Sequence, residues 1–206
     1  MDYRRNRRID EILLMMDELM QSIAIEGDLL AEAADNDAEE KAEAANKAEK
    51  YDHPQLADVG SAKGNSLRDI IDDDVKRMRV VRWIELAAKE LADKLYPYTK
   101  SIDRHPQYNP LHRNVAHGDL LTNQYREPEF WQINLCVPAT FASTTTSYIQ
   151  TLGQEYIVGR VIAEWCSLYY KEKEDWARLR VVDIENKISA AKDRRMMPVR
   201  RRGSVY

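Results

Sequence analysis

Residues 147–168, SYIQTLGQEYIVGRVIAEWCSL, decide the fold class. Ile149, Leu152, Tyr156, Val161, Trp165 and Leu168 recur at three- to five-residue intervals, the spacing that places side chains on one face of an α-helix. No proline interrupts residues 147–195, and glycine occurs there only at Gly153 and Gly159. Trp176, Leu179, Val182 and Ile188 continue the stripe, so the segment is one very long helix or two stacked ones. Ser143 or a neighbouring threonine offers an N-cap oxygen at its start.

A second stripe precedes it. Leu67, Ile70, Ile71, Val75, Met78 and Val81, then Leu86, Leu91 and Leu95, predict one long helix. Ser66 is its N-cap, Asp69 stands at the capping-box position, and Pro97 stops it. Nearer the start, Ile9, Ile12, Leu13, Met16, Leu19, Met20 and Ile23 predict an amphipathic helix from about Arg7 to Ala24, which Gly27 ends or loosens. From Glu26 to Lys50 nine acidic side chains face three lysines. From Leu29 to Lys50 alanine and glutamate favour helix, but almost nothing large is present to bury, which predicts an exposed helical arm. Tyr51 to Asn65, with His53-Pro54, Gly60 and Gly64, is a loop.

Periodicity vanishes from Lys100 to Gln124, where Pro106, Pro110 and Gly118 mark an irregular excursion too long for a plain connection. Phe130, Trp131, Ile133, Leu135, Cys136 and Val137 predict a short strand closed by Pro138, with a partner strand drawn from Asn114 to Tyr125. The expected chain is therefore mainly α: a helical bundle with long helices, a small β element in the excursion, and a basic tail. Its parts are an N-terminal helix over 1–25, an acidic arm and loop over 26–65, a helical domain over 66–195 containing the excursion 100–138, and the tail 196–206.

Of the 206 residues, 44% are hydrophobic and 32% charged, and the formal net charge is −4. That mean conceals basic ends. Arg4, Arg5, Arg7 and Arg8 open the chain, and Arg194, Arg195, Arg200, Arg201 and Arg202 close it, a distribution typical of interaction tails. Two cysteines, Cys136 and Cys166, make neither a disulfide framework nor a CxxC motif. The first residues do not resemble a signal peptide, and Ile12 to Met16 is too short to cross a bilayer, so no membrane association is expected.

Catalytic signatures are missing. His105, His112 and His117, with Asp119 nearby, match neither HExxH nor a Cys/His finger. There is no GxxxxGK[ST], no GxGxxG and no GxSxG. Gly153 and Gly159 sit on a helical stripe and suit close helix packing rather than phosphate approach. Asp72, Asp73 and Asp74, as consecutive helix positions, would point in different directions and cannot converge on one ion. Cys136 behaves as a small hydrophobe. The expectation is a protein that is not an enzyme, with no catalytic residue, metal or cofactor. The arginine-rich ends can meet phosphates, yet no recognisable nucleic-acid module accompanies them.

The second half resembles head-to-tail connector proteins of tailed bacteriophages, especially the adaptor-like ring proteins of crAss-like podophages. Phe130-Trp131-Gln132-Ile133 and Val137-Pro138-Ala139-Thr140-Phe141 carry the resemblance. So do Tyr148-Ile149, the run from Tyr156 to Trp165, and Pro198-Val199-Arg200-Arg201-Arg202. The helix from Leu67 to Tyr96 looks similar to the family's first bundle helix. Residues 66 to 206 are covered, and the acidic arm has no counterpart. The resemblance implies a virion protein assembled in the host cytoplasm. In the neck it would form a cyclic homo-oligomer of about a dozen copies. Its expected partners are the portal protein, the next neck or tail ring, and double-stranded DNA passing through the channel without specific binding. Arg194, Arg195, Arg200, Arg201, Arg202 and Tyr206 are the expected docking residues toward portal or neighbour. Trp131, Tyr156, Trp165 and Trp176 are the expected core or interface aromatics. The alternative is a cytosolic helical scaffold or oligomerisation protein, or, further off, a nucleic-acid-binding protein.

Overall fold

The computed structural model describes residues 7–48, 66–99, 111–115, 128–138 and 141–193. Strand β1 spans Arg7–Met15 and passes directly into helix α1, Met16–Ala48. Helices α2 (Leu67–Asp72) and α3 (Asp74–Lys94) follow, then strands β2 (Leu111–Val115) and β3 (Pro128–Pro138). Helix α4 (Ser143–Tyr169), a short 3₁₀ turn at Lys171–Lys173 and helix α5 (Glu174–Lys192) complete the chain. The protein is mainly α with a small β element, as its periodicity predicts.

The predicted helix from Arg7 is half wrong. Residues 7–15 form a strand whose side chains alternate: Ile12 and Leu14 are buried, whereas Ile9, Leu13 and Met15 are exposed. The helix starts only at Met16, where Met16, Leu19, Met20 and Ile23 turn inward. β1 pairs antiparallel with β3 along its whole length, from Arg7 opposite Pro138 to Met15 opposite Phe130. β2 pairs with the other edge of β3, so the sheet order is β1-β3-β2. The anticipated partner strand thus overlaps β2 only at Asn114 and Val115, and the longer partner comes from the N-terminus. A central strand must satisfy backbone groups on both edges, and β3 does this with β1 on one side and β2 on the other. Beyond β2, the Cys136 N–H donates to the Tyr98 carbonyl at 2.7 Å.

The predicted single helix from Leu67 is also two. Asp73 is extended (φ −89°, ψ 111°) and separates α2 from α3. Ser66 caps α2 by accepting the Arg68 N–H at 3.2 Å, as predicted. The open choice over residues 144–195 resolves into two helices, broken at Tyr170. α4 begins after Ala142, with no side-chain cap.

α3, α4 and α5 form a bundle. Gly153 of α4 lies against Leu91, Arg160 meets Glu90, and Tyr169 meets Arg79, so α3 and α4 run antiparallel. Gly159 faces Val181 and Ile184, which makes α4 and α5 an antiparallel hairpin. Lys192 Nζ donates to the Lys94 carbonyl and Tyr98 Oη donates to that of Lys192, tying the ends of α3 and α5 together. A Cβ on Gly153 would lie 3.0 Å from Leu91 Cδ2, a tight contact that the leucine end would have to yield to by a few tenths of an ångström. At Gly159 the same atom would make ordinary contacts.

β1 and α1 run alongside α4 in the same direction. Thr146 donates to Asp10, Gln150 to the Leu13 carbonyl and Gln154 to Glu18. Gly27 does not end α1. A Cβ there would sit 2.7 Å from Leu67 Cβ, so the glycine lets α2 pack directly on the helix backbone. Ion pairs from the adjacent residues, Glu26 with Arg180 (2.6 Å) and Asp28 with Arg68 (3.0 Å), reinforce this junction.

Candidate interaction surface

The four singled-out aromatics divide. Trp131, Tyr156 and Trp165 are buried, on β3 and α4. Trp176 is not. The buried face of α5 runs through Ala177, Val181, Ile184, Ile188 and Ala191. On a helix these positions stand away from Trp176, Leu179 and Val182. Leu168 is 58% exposed, Trp176 48%, Leu179 69% and Val182 50%. Apolar residues at positions 176, 179 and 182 line one outward arc of α5, with the Arg180 guanidinium over the Trp176 ring at 5.9 Å. Scattered exposed leucines are ordinary, whereas a run of large ones beside a tryptophan is the composition of a protein interface. The six tail residues Arg194, Arg195, Arg200, Arg201, Arg202 and Tyr206 lie outside the described residues.

A polar network joins α3 to α4 where the bundle surface dips. Trp83, Leu86, Ala87, Glu90, Arg160 and Glu164 line a cleft of about 140 Å³. Glu90 accepts from Arg160 Nε at 3.0 Å, Arg160 Nη2 at 3.2 Å and Tyr156 Oη at 3.0 Å. Arg160 Nη1 donates to Glu164 at 2.8 Å. The Arg160 hydrogen bond, aided by Tyr156 and opposed by desolvation, holds Glu90 below the usual carboxylate range. Glu90 in return raises Arg160, and burial followed by the Glu90 bond raises Tyr156. A tyrosine so locked in its protonated form, beside a guanidinium shared by two carboxylates, is no acid–base pair for neutral pH. The network's chemistry is that of a clamp between helices.

This clamp has a predictable pH signature. The folded pKa of Glu90 lies below its ordinary 4.5, so its stabilising effect is complete above that value and fades as pH falls through it. Because the Glu90 side chain is 43% exposed, solvent screens the pair and its contribution is about 1 kcal/mol. Melting curves of wild type and Glu90→Gln should differ at pH 7 and draw together as pH falls below 4.5. A gap that stays constant over that range would remove the charge from the account.

The other candidates are dispersed. His112 lies on β2, while His105, His117 and Asp119 fall outside the described residues. Asp73 is not a helix-interior residue: it accepts the Lys76 N–H at 3.4 Å and so caps α3. Burial, with Glu174 adding to it, pushes the Cys166 thiol up to about 11, away from nucleophilic use. Among the described residues no three His, Cys, Asp or Glu side chains come together as a metal site. No described helix is long and apolar enough to cross a membrane. No family model, curated protein or solved structure matches the chain.

The clamp has no signature in the sequence. Glu90 and Arg160 belong to separate helices, and no local spacing pairs them. The α5 stripe divides: Ile188 is buried, whereas Trp176, Leu179 and Val182 face outward.

Proposed function

We propose that the chain is a non-enzymatic structural subunit that packs into a cyclic homo-oligomer, a connector ring in a virion neck between portal and tail. The observation that carries the packing role is the outward apolar arc of Trp176, Leu179 and Val182. Exposing it permanently to water is unfavourable by roughly 25 cal/mol per Å² of apolar surface. A neighbour that covers it recovers this energy. Head-to-tail packing of unlike faces closes into a ring when the rotation between copies allows. The neck assignment rests on the sequence resemblance over residues 66–206, and DNA would pass through such a ring without being read.

Mass measurement of the purified protein, alone and mixed with portal, tests this. A closed ring of about a dozen copies is expected, formed alone or on the portal. A particle that stays a monomer or small dimer in both conditions overturns the reading. Assembly into open or small scaffolds indifferent to portal would move the protein to the cytosolic alternative.

A further inference from the structure

The outer face of α3 and the distal half of α1 complement one another. On α3, Met78, Arg82, Leu86 and Lys89 follow at four-, four- and three-residue steps, which makes them one outward ridge. Met78 and Leu86 are each about half exposed, and Arg79 flanks them. Between Asp74 and Arg82 the helix carries four cations, Lys76, Arg77, Arg79 and Arg82, against the single carboxylate of Asp74. The ridge is thus cationic around Arg79 and Arg82, with apolar patches, while Lys76 and Lys89 at its ends pair with Asp73 and Glu85.

α1 is the opposite. Residues 31–48 contain six carboxylates, two lysines and eight alanines, with no larger apolar side chain. Among the described side chains of α1, Ala24 and Leu30 are partly buried against the chain's own core. A lone helix of this length is marginal in water without a partner. Its alanine content lets another helix approach closely, and its charge matches the ridge.

Geometry places that partner in another copy. α1 and α4 run in the same direction, with Glu18 level with Gln154. The Glu26–Arg180 pair keeps the same offset farther along, because Arg180 lies across the hairpin near residue 161 of α4. On that offset Tyr169, the end of α4, is level with residue 33 of α1. The following fifteen residues, 34–48, extend about 22 Å past the end of the bundle at 1.5 Å per residue. Arg79, five residues into the chain's own α3, is level with Tyr169. From Arg79 onward α3 therefore runs back from the overhang.

We infer that the overhanging half of α1 from one copy docks along the outer ridge of α3 in the next, from Lys76 toward Lys89. This rests on the ring reading and supplies one of its head-to-tail contacts. The α2–α3 corner, with Asp69, Asp72 and Asp73, repels the arm and sets the direction in which it lies.

Carboxylate–amine coupling of full-length protein, mixed from isotopically light and heavy copies, tests the contact. Heavy–light links between α1 carboxylates at 32–43 and Lys76 or Lys89 are expected. The Arg79→Glu, Arg82→Glu double variant should shift assembly to on the order of tenfold higher concentration. Adding Glu39→Arg and Glu40→Arg should reverse part of that shift. If rings form without such heavy–light links, the docking is wrong and the ring reading survives. If no assembly occurs at any concentration, alone or mixed with portal, both fall. If the α3 variant assembles normally but loses affinity for duplex DNA, the ridge serves nucleic acid and the proposal is overturned.

Discussion

Leu14→Asp should unfold the subunit, and Leu13→Asp should barely change it. Leu14 is fully buried, stands opposite Trp131 in the sheet and reaches toward Gly153 of α4. Truncating a buried leucine costs about 2–5 kcal/mol. A carboxyl in the same apolar site adds several kcal/mol more, whether it stays charged or takes up a proton. Domains of this kind hold roughly 5–15 kcal/mol in total, so the loss consumes most or all of it. Leu13 is 38% exposed on the opposite face, and the contact it offers α4 is its backbone carbonyl. Its substitution should cost about 1 kcal/mol, the scale of strand propensity. Denaturant melts of the two variants distinguish strand from helix over residues 7–15. Comparable losses at both positions would mean that side chains there do not alternate.

The larger functional effect is expected on α5. The double variant Trp176→Ala, Leu179→Asp should keep its melting temperature within a few degrees, because neither side chain belongs to the core. It should nevertheless assemble at least about 30-fold less well, the equivalent of one lost interface hot spot of 2 kcal/mol. The pairing of Arg180 over the Trp176 ring accounts for the small stability cost, about 0.5–1 kcal/mol. Sedimentation of the folded variant measures this, and unchanged assembly would take the α5 arc out of the interface.

Both experiments turn on positions where local sequence is ambiguous. Around residues 9–16, Ile9, Ile12, Leu13 and Met16 fit a helical period, while Ile12, Leu14 and Met16 fit a strand period. Short apolar runs do not separate the two. What decides is β3, more than a hundred residues away, whose free edge needs a partner. Because the strand enters the helix without a turn residue, nothing in the composition marks the boundary at Met16.

On α5 the ambiguity has another source. Its buried face is built partly from Ala177 and Ala191, which carry little hydrophobic weight in a sequence pattern, while the bulky Trp176, Leu179 and Val182 lie outside. The same holds on α3, where Ala87, Ala88 and Ala92 are buried and Met78 and Leu86 are exposed. α4 was legible because it is buried over much of its circumference, so Ile149, Leu152, Tyr156, Val161 and Trp165 are all core. The Glu90–Arg160 clamp depends on tertiary approach and has no local signature.

The direct passage of β1 into α1 also makes α1 a cantilever. Met15 ends the strand and Met16 begins the helix, so no hinge separates them. Gly27, where a helix would bend most easily, is clamped by Leu67, with the Glu26 and Asp28 ion pairs bolting it on either side. A load on the overhang therefore arrives at the Gly27 clamp as a bending moment. Its axial component passes through to β1 as a pull along the strand. Nine register pairs to β3 resist that pull together, in shear, rather than peeling one after another. Tension borne along the helix axis thus meets the sheet in its stiffest direction.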